Sequence, residues 1–114
     1  MLPIKTEKPW GHETLLEENK DYVLKELFMK KGCMCSLQYH RKKHETIYVL
    51  SDRLKLLYGK TKDKLTELIF EPGGYFVIQP KWVHRMCAIE NAKYLEASTP
   101  QLTDVVRLED AYGR

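Results

Sequence analysis

At 114 residues the chain has room for one hydrophobic core and not for two. Its 43% hydrophobic and 31% charged residues belong to an ordinary globular domain, and no apolar run is long enough to cross a bilayer. The formal charge of +3 fits an anionic small-molecule partner and is too mild and too scattered to argue for nucleic acid. The first residues lack the apolar stretch of a signal peptide, and three cysteines, an odd number, argue against a disulfide framework. One domain over residues 1–114, with reduced thiols and a cytoplasmic location, is expected.

In chain order, Tyr22 to Met29 is β-rich and ends at the turn Lys30-Lys31-Gly32. Cys33 to His40 mixes small, apolar and polar residues as a strand does. Thr46 to Leu50 is the clearest strand and stops at Ser51-Asp52. Leu54–Tyr58 and Leu65–Phe70 flank the polar run Gly59 to Lys64 and read as a hairpin with a longer loop. Pro72-Gly73-Gly74 is a strong turn signal, followed by the strand Tyr75–Ile78. His84–Ile89 and Lys93–Ala97 are shorter strands around Glu90-Asn91-Ala92. The tail from Leu102 to Tyr112 alone has a helical option. Short strands at regular spacing, punctuated by Gly, Pro and Asn, predict an all-β sandwich or barrel.

Gln38, His40, Glu45 and His84 read as one metal site: an amide oxygen, a carboxylate and two imidazoles. That mixture suits one divalent transition ion, Zn first and then Mn, Co, Fe or Ni, better than Ca or Mg. Gln38 and His40 are two apart and project from one face of a strand. Glu45 shares a face with Ile47 and Val49, whereas His44 shares one with Thr46, Tyr48 and Leu50. Either face makes an acceptable core, so periodicity leaves His44 and Glu45 as rival ligands. Arg41-Lys42-Lys43 is a cationic run suited to phosphate, and Trp82 is close enough to His84 in sequence to line a site.

Four motifs carry a resemblance. They are Lys8-Pro9-Trp10-Gly11, Ser36-Leu37-Gln38-Tyr39-His40 with Glu45, the stretch from Pro72-Gly73 through Pro80 to His84-Arg85, and the tail Asp104 to Arg114. In this order and spacing the chain resembles a cupin, and among cupins the C-terminal isomerase domain of type II mannose-6-phosphate isomerases. The resemblance implies a double-stranded β-helix of jelly-roll topology. It favours Gln38, His40, Glu45 and His84 as ligands, and so Glu45 over His44. It also implies aldose–ketose isomerisation of a sugar phosphate, mannose 6-phosphate and fructose 6-phosphate being the reference pair. A metal would act as Lewis acid and a base would carry the proton. The sequence does not identify that base: Glu96 is one candidate, because it lies on a late strand where the family also carries an acid, and a metal-bound hydroxide is another.

Arg107 and Arg114, in the family tail, are candidates to bind the sugar phosphate, with Lys43 and Trp82 beside the pocket; the alternative is that the tail packs to close the barrel, the reading favoured for Arg114. Tyr112 reads as packing. Cupins commonly bury a sheet edge by dimerising, so a homodimer is expected, with no nucleic-acid or membrane partner. The chain departs from the family around the pocket. Lys43 replaces an Arg, Thr46-Ile47 replaces His-Trp, Asp52 replaces a turn glycine, and the Pro80–His84 segment is one residue shorter. A metallo-cupin of other chemistry (epimerase, lyase or dioxygenase) and a non-catalytic sugar-binding cupin are therefore the alternatives.

Overall fold

A computed structural model describes residues 2–112. The described residues form eleven strands and no helix: β1 (Ile4–Lys8), β2 (Gly11–Glu18), β3 (Val23–Met29), β4 (Leu37–His40), β5 (Glu45–Ser51), β6 (Leu54–Thr61), β7 (Lys64–Phe70), β8 (Tyr75–Ile78), β9 (Val83–Ala88), β10 (Ala92–Ser98) and β11 (Val105–Glu109). They pair antiparallel in two sheets, a six-stranded one ordered β1-β2-β3-β10-β5-β8 and a five-stranded one ordered β11-β4-β9-β6-β7. The two inner faces meet in one core, with Leu27, Met29, Ile47, Val49, Leu54, Leu56, Ile78 and Tyr94 among its buried side chains. This is the all-β jelly-roll barrel that the spacing and the motifs predict.

Strand alternation decides what enters that core. Along β5, Glu45, Ile47 and Val49 are buried while Tyr48 and Leu50 stand outside. Gly11 opens β2 where it meets β3. A Cβ there would lie 2.0 Å from the Phe28 carbonyl oxygen, and its φ is +154°, so the Trp10-Gly11 step requires glycine.

Three elements differ from the sequence reading. The tail is a strand, not a helix: Val105 and Val106 are β-branched and pair with His40 and Tyr39 of β4. The hairpin loop is tight, because β6 runs on to Thr61 and pairs it with Lys64. Residues 4–18 form the hairpin of β1 and β2, whose charged, largely exposed residues give no apolar alternation to read. The local departures also take shape. Asp52 sits at φ +62° where the family has a turn glycine, and Lys81 sits at φ +72° in the shortened segment before His84.

Candidate metal centre

The topology explains why residues so far apart in sequence converge. β4 and β9 are neighbours in the five-stranded sheet and place Gln38 directly opposite His84. Glu45 begins β5 of the other sheet, so the group spans the barrel interior. His40, Glu45 and His84 offer ligand atoms that all lie within 4.8 Å of one another, and all three are buried. Glu45 Oε1 is 3.2 Å from His84 Nε2 and 3.6 Å from His40 Nε2. Donors at about 2.0–2.2 Å from a divalent ion stand roughly 3–3.5 Å from one another, which matches these spacings. His44 is exposed and points away.

The hydrogen bonds outside the group fix its tautomers. His84 Nδ1 donates to the Trp82 carbonyl at 3.0 Å, leaving a lone pair on Nε2. His40 Nδ1 faces Asp104 Oδ1 at 3.2 Å, which leaves the lone pair on its Nε2 directed at the group. His84 Nε2 and Glu45 Oε1 are buried and have no hydrogen-bond partner among the described residues. Two acceptors thus face each other across 3.2 Å in a buried interior. A cation between them removes that conflict, so the donor set fits a metal.

Gln38 stands beside this set. Its Oε1 accepts from Ser36 Oγ, and its Nε2 lies 3.5 Å from His40 Nε2. A half-turn of the amide presents the oxygen instead, which is the geometry a fourth ligand needs.

A chain of charges leads away from the centre. Lys43 Nζ lies 3.3 Å from Glu45 Oε2 and 3.1 Å from Glu96 Oε1. Lys43 is therefore inside the barrel, bridging two carboxylates, while Arg41 and Lys42 are on the surface. Burial disfavours the Lys43 charge, but Glu96 and Glu45 more than offset it and raise its pKa. Burial also opposes the charge on Glu45, and contact with His84 and Lys43 outweighs it, holding that carboxyl below the usual range. His40 is pushed down to about 4 by burial and then by Lys43, so its imidazole is neutral and able to bind metal. Glu96 is pushed up to about 7 by burial and by the charge of Glu45.

Gln38, His40, Lys43, Glu96 and Arg107 line one cavity of ≈ 190 Å³. That is below the roughly 300–1,000 Å³ of drug-sized sites. Arg107 is exposed among the lining residues, and its side chain has no hydrogen bond or ion pair among the described residues. Trp82 does not line this cavity. Its ring stacks on Tyr58 at 4.7 Å in a separate groove, and only its carbonyl serves the centre. Tyr112 packs against the core and accepts a hydrogen bond from Met34 N at 3.3 Å, whereas Arg114 lies outside the described residues.

Asp104 is the residue that sequence reasoning missed. Besides orienting His40, its Oδ2 accepts from the backbone of Lys42 at 2.7 Å and of Lys43 at 2.9 Å. Its only sequence signal is its place in the tail motif, because β11 pairs with β4 across more than sixty positions of chain. Asp104→Ala is expected to weaken metal binding by about 10–100-fold with the ligands intact, measured by competition with a chelator. Unchanged affinity would remove Asp104 from the centre.

The family profile described as Mannose-6-phosphate isomerase C-terminal matches residues 3–110. The chain belongs to this family. No curated protein matches it. Solved structures share its fold. The capsular polysaccharide assembling protein CapF from Staphylococcus aureus superposes with a TM-score of 0.82 at 15% identity, over 94% of this chain and 34% of CapF. Oxalate decarboxylase from Bacillus subtilis gives 0.81 at 12%, over 94% of this chain and 30% of that one. An RmlC-like cupin from Shewanella frigidimarina gives 0.78 at 14%, over 90% and 88%. The chain thus spans about a third of the length of CapF, and at these identities the likeness is one of fold, the cupin barrel.

Proposed function

We propose that this protein is a metal-dependent sugar-phosphate isomerase that interconverts an aldose and a ketose, mannose 6-phosphate and fructose 6-phosphate being the first pair to test. One observation carries the reading. A buried carboxylate with a raised pKa, Glu96, lines the same small cavity as His40 and Gln38, so a proton carrier and the donor set face one substrate. Family membership supports the same chemistry.

His40, Glu45, His84 and Gln38 would hold a divalent ion, zinc being the first candidate, and that ion would supply Lewis-acid polarisation to the substrate oxygen that gains charge. Glu96 takes the C2 proton of the open-chain aldose as the C–H bond breaks and a C1–C2 double bond forms. The carbonyl oxygen takes up the displaced electron pair. The O2 hydroxyl proton passes to O1, and as C2–O becomes the carbonyl the C1–C2 double bond takes the carried proton back at C1, which completes the ketose. Lys43 holds Glu96 Oε1 at 3.1 Å and so positions the base. Arg107 is placed to attract the phosphoryl group from among the lining residues.

Chelation is expected to abolish interconversion in a coupled assay, and Zn, Co or Mn to restore it. Protein shown to be metal-replete that converts neither sugar would remove the isomerase reading. A metallo-cupin of other chemistry would then stand, favoured by Ile47, fully buried where the family carries Trp.

The reading includes a homodimer, supported by Tyr48 and Tyr75, which pair across β5 and β8 and are 44% and 68% exposed. Light scattering is expected to give twice the 13.5 kDa chain mass. A monomer at micromolar concentration contradicts it.

A further inference from the structure

The cavity has a second charged group, supplied by the first three strands and distinct from the metal-ligand set. Lys8 closes β1, Glu13 lies on β2 and Lys25 on β3, and all three line the cavity with Glu96 and Arg107. Lys25 Nζ is 3.3 Å and Lys8 Nζ 3.7 Å from the same oxygen, Glu13 Oε1. Their side chains are between a sixth and a quarter exposed, deep enough to be ordered and open enough to meet a ligand. In the β3–β10 register Lys25 stands directly opposite Glu96, so it is one strand away from the candidate base.

The charge count is informative. Two ammonium groups on one carboxylate leave one positive charge over. Arg107, without an ion pair among the described residues, adds a second. A phosphoryl ester carries about −1.5 to −2 at neutral pH and offers three acceptor oxygens. Lysines suit it as point charges and arginine as a fork.

Resting on the isomerase reading, we infer that Lys8 and Lys25, held by Glu13 and joined by Arg107, form the subsite for the substrate's phosphoryl group. Glu13 is a positioning residue that sets the two ammonium tips and touches no ligand. The sugar's reacting carbons then lie toward Glu96 and the metal group, and the phosphoryl end toward β1–β3. The subsite selects a doubly charged ester over a neutral sugar.

The test is calorimetric and does not depend on turnover. Metal-loaded full-length protein is titrated with mannose 6-phosphate and with mannose, using wild type, Lys25→Gln, Lys8→Gln and Lys60→Gln. Lys60 is an exposed cation outside this cavity, in the groove beside Trp82, and controls for general electrostatics. Wild type is expected to prefer the phosphate ester. Lys25→Gln should weaken the ester by about tenfold or more while leaving mannose unchanged, with a smaller loss for Lys8→Gln. Lys60→Gln should alter neither. Lys8→Gln keeps the test valid if Lys25→Gln fails to fold. Equal losses for both ligands, an equal loss in Lys60→Gln, or no preference in wild type overturns the subsite. A retained phosphate preference without turnover overturns the isomerase reading alone.

Discussion

His84→Ala is expected to lose the metal entirely. The imidazole is fully buried, its Nδ1 is tied to the Trp82 carbonyl, and its Nε2 faces only Glu45. Removing it takes away one of the two strong neutral donors and leaves one imidazole, the Glu45 carboxylate and the weakly donating Gln38 amide, too weak a set to hold a transition ion against water. The ion can be followed by elemental analysis after gel filtration, with about one equivalent per chain in wild type. His44→Ala is the matched control, because that ring is exposed and directed away. If His44→Ala strips the ion and Glu45→Ala does not, the face of β5 assigned to the centre is the wrong one.

Glu96→Gln is expected to lower kcat by about 10²–10⁴ while metal content stays near one equivalent. The amide keeps the shape of the carboxyl and one acceptor for Lys43, but cannot take a proton. A structural role alone would instead lower stability or metal content along with the rate. The pH dependence gives an independent reading. A base must be ionised, so kcat/KM rises as pH climbs through its pKa. Glu96 is raised to about 7 by burial and then by the charge of Glu45. A cation beside Glu45 cancels part of that charge, so the rising limb of the loaded enzyme is expected between 4.5, the ordinary carboxyl value, and about 7. A profile flat across that range would exclude Glu96 as the base.

Much of the barrel was legible because its strands alternate strongly. β5 shows it best: Ile47 and Val49 leave room inside only for Glu45. Periodicity alone could not reject His44, since Tyr48 and Leu50 would have made an equally apolar interior. The motif resemblance favoured Glu45, and in the structure that carboxylate is buried beside both histidines. What sequence did not reveal is set by register between distant strands. Asp104 reaches His40 through β11–β4 pairing, and Lys25 meets Glu96 through β3–β10 pairing. Neither has a local signature. Trp82 was misjudged for a related reason. Nearness to His84 in sequence puts its carbonyl at the centre, but alternation turns its ring toward Tyr58. Lys43 belongs with the cationic run 41–43 by sequence and with Glu45 and Glu96 by structure.

The most direct measurement is exchange at C2. Metal-loaded protein is incubated with mannose 6-phosphate in deuterated water and followed by proton NMR. The account predicts loss of the C2 proton signal with appearance of fructose 6-phosphate, and neither change after chelation. Full retention of the C2 proton by metal-replete protein, for every hexose phosphate tried, would contradict it.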